Sequence, residues 1–264
     1  MAENYNGMAV GIFELDSFAA CFVALDAASK AGFKGVEFLF PYAFNLDEIA
    51  EKLQKNNLEL VLHNLPAGNW EAGERGIACH PDRVGEFQDG VGKAINAAKK
   101  LGVKQVNCLS GPVLPDVSED KLRATFVDNL KFAAGKLKAE GIRLVTEPVN
   151  TFDMKNAFLN RTQQAVDIIR DVGSDNLFIQ YDIYHMQRME GELANTIKAN
   201  LPLIKHMQLA DNPVRNEPGT GEINYHFLIK FIDDIGYDGW IGCEYKPKTT
   251  TVEGLGWLKE YGVK

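Results

Sequence analysis

The chain has 264 residues, of which 45% are hydrophobic and 24% are charged, and its formal net charge is −8 at pH 7. This composition is typical of a globular protein. The negative charge argues against a surface built for nucleic acid or acidic lipid, because such a surface needs a basic patch, and no apolar run is long enough to span a membrane.

The first residues and the cysteines lead to one expectation about location. The opening segment MAENYNG lacks the basic region and the apolar core of a signal peptide. Four cysteines occur without a CxxC pair: Cys21, Cys79, Cys108 and Cys243. Such wide spacing favours reduced, mostly buried thiols over disulfides, so we expect a cytoplasmic protein.

Short apolar or β-branched runs recur along the chain and predict eight β-strands. The runs are MAVGIF (8–13), GVEFLF (35–40), LELVLHNL (58–65), KQVNCLSG (104–111), RLVTEPVN (143–150), LFIQYDIYH (177–185), IKHMQLAD (204–211) and GWIGCEYKP (239–247). Between them lie segments with apolar residues at helical spacing, such as Ala165, Ile168, Ile169 and Val172. Several segments end at a glycine, as in KKLGVKQVN and KAEGIRLV, which is a common helix stop.

Eight strands alternating with eight helices predict a parallel sheet covered by helices. The last of these helices is short and lies near residues 252–260. Eight such units in a chain of this length close a (β/α)₈ barrel, so we predict a single-domain TIM barrel over residues 1–264. A doubly wound open sheet is the alternative, but no GxGxxG motif follows the first strand.

Polar side chains stand near the ends of seven predicted strands. They are Glu37, His63, Asn107, Glu147, Asp182, Gln208 and Glu244. Active sites of TIM barrels lie at the C-terminal ends of the strands. If these side chains point inward, the fifth to eighth strands bring four of them into one small volume. The four are Glu147, Asp182, Gln208 and Glu244.

Three carboxylates in so small a volume repel one another unless some are protonated or a cation lies between them. Oxygen ligands suit a hard divalent ion, so these four residues predict a Mg²⁺ or Mn²⁺ site. Separate ion pairs between each acid and an Arg or Lys are the alternative. A loop-anchoring role is our interpretation of Glu37.

A metal in this position can polarise a carbonyl and the adjacent hydroxyl of a bound ligand. Two glutamates beside that ligand can then remove a proton from one carbon and return it at the next. This chemistry needs no organic cofactor. It fits an isomerase or epimerase of small α-hydroxycarbonyl compounds.

Two cations and two histidines surround the predicted acid cluster. His185 lies just beyond the sixth strand, where contact with substrate is favoured over a loop role. Arg215 lies on a Gly/Pro-rich loop and can hold a substrate carboxylate through two hydrogen bonds, with a surface salt bridge as the alternative. Lys246 shares a strand side with Glu244 and either neutralises an acid or binds a carboxylate. The sequence favours neither substrate contact nor a structural role for His63.

Five longer stretches closely resemble the hydroxypyruvate isomerase family of xylose-isomerase-like TIM barrels. They are VEFLFPY, LHNLPAGNWEAGERGIAC, IQYDIYHMQRMEGEL, QLADNPVRNEPGTGEINY and GWIGCEYKPKTTTVEGLGW, and the resemblance covers about residues 21–257. It implies interconversion of hydroxypyruvate and 2-hydroxy-3-oxopropanoate (tartronate semialdehyde) in glyoxylate metabolism. The substrate would be a small hydroxy-keto acid.

The resemblance also implies roles for particular residues. The family's catalytic glutamate pair falls on Glu147, in EPVN, and on Glu244, in CEYKP. The superfamily's metal-ligand positions fall on the same two glutamates together with Asp182 and Gln208, although related sugar epimerases have His where this chain has Gln208. Substrate-contact positions fall on His185 and Arg215. The first strand departs from the family pattern, since GMAVGIFELD stands where Asn-Leu-Ser is usual.

Three other functions are weighed against this one. A 2-oxo-tetronate isomerase, or a related ketose or keto-acid epimerase, would use the same site. A metal-dependent DNA phosphodiesterase would need a His-rich multi-metal site and a basic groove, whereas the chain has five His and a net negative charge. A non-catalytic binding barrel is the third. The sequence does not decide between a monomer and a homo-oligomer.

Overall fold

The computed structural model describes residues 7–12 and 18–261. Eight parallel strands close into a barrel in sequence order, and β8 pairs with β1. The strands are β1 (Met8–Ile12), β2 (Gly35–Phe38), β3 (Glu59–Asn64), β4 (Gln105–Cys108), β5 (Arg143–Thr146), β6 (Leu177–Asp182), β7 (Ile204–Leu209) and β8 (Trp240–Cys243). The predicted TIM barrel is confirmed.

Helices follow the strands and form the outer layer. They are α1 (Phe18–Lys30), α2 (Leu46–Lys55), α3 (Val84–Leu101), α4 (Glu119–Ala139), α5 (Thr162–Val172), α6 (Ile183–Met189), α7 (Leu193–Asn200) and α8 (Tyr225–Asp234), with 3₁₀ turns at Pro81–Arg83 and Glu253–Tyr261. The predicted last helix is therefore a 3₁₀ helix. Among the described residues, no helix combines the length and apolarity needed to cross a lipid bilayer.

The sixth predicted strand is shorter than the sequence suggested. The run LFIQYDIYH (177–185) predicts a strand with His185 just beyond it, but β6 ends at Asp182 and α6 begins at Ile183. The Oδ1 atom of Asp182 accepts the backbone N–H groups of Tyr184, at 2.8 Å, and His185, at 3.3 Å. A side-chain oxygen that satisfies these free donors stabilises a helix start, so the chain turns into a helix here.

Helix periodicity in the sequence corresponds to buried faces in the structure. In α5 the side chains of Ala165, Ile168, Ile169 and Val172 are all buried. The helix ends at Gly173, whose φ of 65° lies in the left-handed region that a residue without Cβ adopts at low cost. The strands are buried on both faces, as expected for a parallel sheet covered by helices.

The interior of the barrel contains an apolar cluster. Ala9, Val61, Leu62 and Val145 form a buried cluster there, with the partly buried rings of Phe178 and Trp240 packed against it. Side chains therefore pack inside the barrel, as is usual for this fold.

The predictions on the thiols and on the first strand are tested only in part. Cys79, Cys108 and Cys243 are buried free thiols, while the side chain of Cys21 lies outside the described part of the chain. The run GMAVGIFELD supplies β1 up to Ile12. Its last four residues, 13–16, also lie outside the described ranges.

Candidate active site

A cavity of about 590 Å³ opens at the C-terminal ends of the strands. Its titratable lining residues are Glu37, Glu147, His185, Arg215, Cys243, Glu244, Tyr245 and Lys246. Its apolar lining includes Val10, Phe38, Leu39, Leu62, Trp70, Leu109 and Met154. The cavity is therefore large enough for a small polar ligand and concentrates charge on part of its wall.

Glu147 follows the last residue of β5 and is 5% exposed. Its Oε2 atom accepts a hydrogen bond of 2.9 Å from Asn107 Nδ2, a group that also donates to Asn64 Oδ1 at 3.1 Å. Burial raises the pKa of Glu147 well above its ordinary value, and the charges of Glu244 and Asp182 raise it further. A carboxyl group in this environment holds its proton at a pH where exposed glutamates have lost theirs.

Asp182 is fully buried and its two oxygens have different partners. Oδ1 caps α6, whereas Oδ2 lies 3.5 Å from His185 Nε2 and 3.5 Å from Arg215 Nη2. Burial raises the pKa of Asp182, while Arg215 and the backbone N–H donors of α6 oppose that rise. One oxygen is thus used by the fold and the other faces the acid cluster.

Glu244 follows β8 and pairs with Arg215, whose Nη2 lies 3.0 Å from Glu244 Oε1. Burial raises the pKa of Glu244 to about 8; Arg215 opposes this, and Asp182 and Glu37 add to it. Burial also disfavours the charge on Arg215, but Glu244, Asp182 and Glu147 outweigh it and hold the pKa of Arg215 above its ordinary value. Arg215 is therefore the cation of the acid cluster and not part of a surface salt bridge.

The loop that carries Arg215 is organised by a residue that the sequence analysis missed. The carboxylate of Asp211, which is 1% exposed, accepts five backbone N–H groups. They belong to Asn212, Gly219, Thr220, Gly221 and Ile223, at 2.9–3.1 Å. Arg215 has a φ of 59°, a conformation that this loop must impose on a residue with a side chain. An Asp before a Gly-rich loop was the available signal.

His185 lies in α6, is 1% exposed, and presents its Nε2 atom 3.9 Å from Glu147 Oε1. Its Nδ1 atom lies 3.2 Å from the backbone N–H of Asn150 and 2.6 Å from Asn150 Nδ2. The amide of Asn150 is oriented by its own Oδ1, which accepts the N–H groups of Phe152 and Asp153. Nδ1 therefore faces only donors and must accept, so the neutral ring carries its proton on Nε2. Burial and Arg215 lower the pKa of His185 well below its ordinary value.

Lys246 and Gln208 both line the cavity, one at its edge and the other in its interior wall. Lys246 is exposed at the cavity edge, and its backbone N–H donates to the carbonyl of Arg215 at 2.8 Å. Gln208 lines the cavity; its Nε2 donates to Glu37 and its Oε1 accepts from Gln180. Its oxygen thus keeps one lone pair for a ligand.

His63 is not brought to this cavity. It is fully buried, its Nδ1 atom lies 3.2 Å from Tyr42 Oη, and it is absent from the cavity lining, where the next residue, Asn64, is found. Burial lowers its pKa to about 4. Glu37 is also not a loop anchor, since it lies in β2 and its carboxylate binds His206 and Gln208 inside the barrel.

The acid cluster fits a metal ion by its donor set. Glu147, Asp182 and His185 are all buried, and each offers a ligand atom within 4.8 Å of the others. Two carboxylates whose pKa values are raised by burial would be stabilised in their charged form by a divalent cation. The carboxylates of Glu147 and Asp182 could therefore hold a metal ion.

Comparison with known proteins agrees with the fold. The family model described as xylose isomerase-like TIM barrel matches residues 25–261. Hydroxypyruvate isomerase of Escherichia coli (strain K12) is 54% identical over 236 residues, which are 89% of this chain and 92% of that protein. A 2-oxo-tetronate isomerase of Cupriavidus necator is 42% identical over 247 residues, covering 94% and 92% of the two chains.

A solved structure is similarly close. The crystal structure described as AP endonuclease, family 2 from Brucella melitensis superposes with a TM-score of 0.91 and 37% identity, covering 97% of this chain and 99% of that one. The chain belongs to the xylose isomerase-like TIM barrel family and is similar over most of its length to a hydroxypyruvate isomerase and a 2-oxo-tetronate isomerase.

Proposed function

We propose that this protein is an isomerase that interconverts hydroxypyruvate and 2-hydroxy-3-oxopropanoate through an enediolate. One observation carries the proposal: two glutamates with raised pKa values, Glu147 and Glu244, line a single cavity together with Arg215. Raised carboxyl pKa values are what proton transfer near neutral pH requires. The 54% identity to the Escherichia coli hydroxypyruvate isomerase supports the choice of substrate.

The reaction moves one carbon-bound proton and one hydroxyl proton. One glutamate of the pair takes a proton from C3 of hydroxypyruvate, which gives a 2,3-enediolate. The other returns a proton at C2, while the proton on O3 moves to O2, so that C3 becomes the aldehyde carbon. In the reverse direction Glu147 and Glu244 exchange roles, as the reversible reaction requires.

The other polar residues of the cavity would bind and stabilise the reacting acid. Arg215, and Lys246 at the cavity edge, provide the positive charge for the substrate carboxylate and for the enediolate. His185 donates from Nε2 to a substrate oxygen, since Asn150 occupies Nδ1. These groups are positioned before the substrate binds, so little reorganisation accompanies the reaction.

A bound divalent metal would polarise the substrate carbonyl and its neighbouring hydroxyl. We assign its ligands to Glu147, Asp182 Oδ2, Glu244 and Gln208 Oε1, which are hard oxygen donors suited to Mg²⁺ or Mn²⁺. His185 belongs to the buried trio as well, but ligation through Nε2 would need the proton on Nδ1, and Nδ1 faces the N–H of Asn150. His185 therefore acts as a donor to substrate beside the metal.

A second relative indicates a second candidate substrate. A 2-oxo-tetronate isomerase is 42% identical to this chain, and a cavity of about 590 Å³ has room for a fourth carbon. The test compares kcat/KM for hydroxypyruvate and for 2-oxo-tetronate under identical conditions. We expect hydroxypyruvate to be preferred, and a clear preference for the four-carbon acid would overturn the choice.

The likeness to the Brucella melitensis structure calls for a separate assay. Incubation with abasic-site DNA tests for strand nicking, an activity that a net charge of −8 does not favour.

We also propose a cytoplasmic location. The buried free thiols of Cys79, Cys108 and Cys243 support it, because thiols stay reduced in that compartment.

A further inference from the structure

A hydrogen-bonded chain of polar side chains runs through the barrel interior up to the cavity. Its members are, in order, Arg143 (β5), Gln105 (β4), His206 (β7), Glu37 (β2), Gln208 (β7) and Gln180 (β6). Five of the six are buried, and Arg143 is partly exposed. The chain connects five strands and ends among the cavity-lining residues.

Arg143 fixes the direction of the first bonds, because a guanidinium can only donate. Its Nη1 atom lies 3.2 Å from Gln105 Oε1, so the Nε2 atom of Gln105 faces His206 Nδ1, at 3.0 Å. Nδ1 must accept, which leaves the ring proton on Nε2. That proton is donated to Glu37 Oε1, at 3.1 Å.

The direction continues on the other side of Glu37. Its Oε2 atom accepts from Gln208 Nε2 at 2.7 Å, so the oxygen of Gln208 faces away from the carboxylate. This oxygen accepts from Gln180 Nε2 at 2.6 Å. Gln180 is thereby oriented too: its nitrogen is directed to Gln208, and its Oε1 atom is the end of the chain.

The end of the chain is an acceptor without a donor. Gln180 lines the cavity and is 1% exposed, and among the described residues its buried Oε1 has no hydrogen-bond partner. A buried unpaired acceptor is costly, and such atoms in native proteins usually have a partner that is missing from the protein chain itself.

A glycine on β8 leaves the space that the Glu37 carboxylate occupies. A Cβ atom at Gly242 of β8 would lie 1.6 Å from Glu37 Oε1, so no other residue type fits at Gly242 while Glu37 keeps its position. Glycine here lets the carboxylate reach both His206 and Gln208. The position of the Glu37 carboxylate therefore depends on Gly242 as well as on its two hydrogen-bond partners.

We propose that Gln180 Oε1 accepts a hydrogen bond from the C3 hydroxyl of the substrate, and that Glu37 is a positioning residue that fixes this orientation through Gln208. The proposal rests on the proposed function, since hydroxypyruvate carries its one hydroxyl on C3. The subsite discriminates because a methyl group has no proton to donate and would leave the acceptor unpaired.

The experiment compares two non-reacting acids that differ only in the C3 hydroxyl. Dissociation constants of D-glycerate and D-lactate are measured by isothermal titration calorimetry, without reliance on turnover. We expect the unaltered protein to prefer D-glycerate by about tenfold, the size of effect produced by one buried hydrogen bond. Gln180→Met keeps the volume and removes the acceptor, so the preference should fall to near one.

Further variants separate positioning from general loss of structure. Glu37→Gln offers Gln208 a donor as well as an acceptor, so Gln208 can turn and the preference should weaken. Adding Glu37→Gln to Gln180→Met should change the preference no further, because Glu37 acts through the same end point. Leu109→Met alters another wall of the cavity and should keep the preference.

Each outcome decides the matter. Equal affinity for the two acids in the unaltered protein, or a preference that survives Gln180→Met, would overturn the proposal. Binding of neither acid would overturn it in a protein that turns over hydroxypyruvate. If the protein bound neither acid and also did not turn over hydroxypyruvate, the proposed function itself would be wrong.

Discussion

The two halves of the barrel contribute differently to the cavity. Strands β1–β4 and their loops supply mostly apolar lining, and Glu37 and Asn64 are the polar side chains that they add among the described residues. Strands β5–β8 and their loops supply Glu147, His185, Arg215 and further polar groups. The backbone of the barrel repeats the same strand–helix unit, but most polar lining residues of the cavity come from β5–β8 and most apolar ones from β1–β4.

Glu37 is the exception that explains how the two halves cooperate. It comes from β2, yet its hydrogen bonds go to His206 and Gln208 of β7, across the interior. The apolar half thus contributes one acid to the support of the polar half. If the division is correct, substitutions in β5–β8 should mainly affect turnover, and substitutions in β1–β4 should mainly affect stability.

The glutamate pair should show the largest effect. Glu147→Gln and Glu244→Gln each keep the side-chain shape and remove the group that exchanges a proton, so kcat for hydroxypyruvate should fall at least about 10²-fold. Glu86→Gln, on the surface start of α3, is the matched control and should retain normal turnover. Near-normal kcat in either site variant would refute the two-glutamate scheme.

Arg215 should rank second. Arg215→Met removes the cation that lies 3.0 Å from Glu244 and 3.5 Å from Asp182, and it also removes the binding partner proposed for the substrate carboxylate. We expect kcat/KM to fall roughly 10- to 100-fold, the range that follows from losing a charge-assisted hydrogen bond. Arg170→Met on the surface of α5 is the control. An unchanged KM would remove Arg215 from the substrate site.

Leu62 tests the apolar half. It is 2% exposed, lies in the interior cluster of the barrel and also lines the cavity. Leu62→Ala should lower the free energy of unfolding by about 2–5 kcal/mol through lost contacts and an unfilled space. The kcat of the folded fraction should stay within about tenfold, since no charge changes. Chemical denaturation and steady-state kinetics measure the two quantities, and a kcat loss as large as that of Glu147→Gln would break the comparison.

The strand pattern predicted much of this arrangement. Near-continuous apolar runs separated by amphipathic segments determine a (β/α)₈ barrel, and Glu147 and Asp182 could be located because each stands at a strand end. These acids converge because the barrel closes, so their proximity can be predicted without knowing any side-chain contact. The sequence therefore predicted that Glu147 and Asp182 lie close together.

The direction in which a side chain points was harder to predict. The pairing of β2 with β3 shifts by one residue, from Val36 opposite Leu60 to Glu37 opposite Leu62. Because neighbouring residues of a strand face opposite sides, such a shift decides whether His63 or Asn64 faces the cavity. His185 lies just beyond the sixth strand, as predicted, but in a helix, because the cap provided by Asp182 begins α6 inside a run whose pattern predicts strand.

The smallest expected effect concerns stability as a function of pH. Without metal, the pKa of Glu244 is raised to about 8 in the folded protein, while the unfolded chain titrates near the ordinary value of 4.5. Between these values the folded state binds more protons than the unfolded state, so stability contributed by this residue falls as the pH rises from about 4.5 to 8. Glu244→Gln cannot ionise and avoids that loss.

In chelator-treated protein, the variant should therefore match the unaltered protein near pH 4.5 and exceed its Tm by a few degrees near pH 8. Thermal unfolding followed by circular dichroism at several pH values measures the difference. Addition of Mn²⁺ should reverse the order, because a cation held by Glu244 favours the charged carboxylate that the variant lacks. A Tm difference independent of pH would mean that Glu244 is not held in an environment that disfavours its charge.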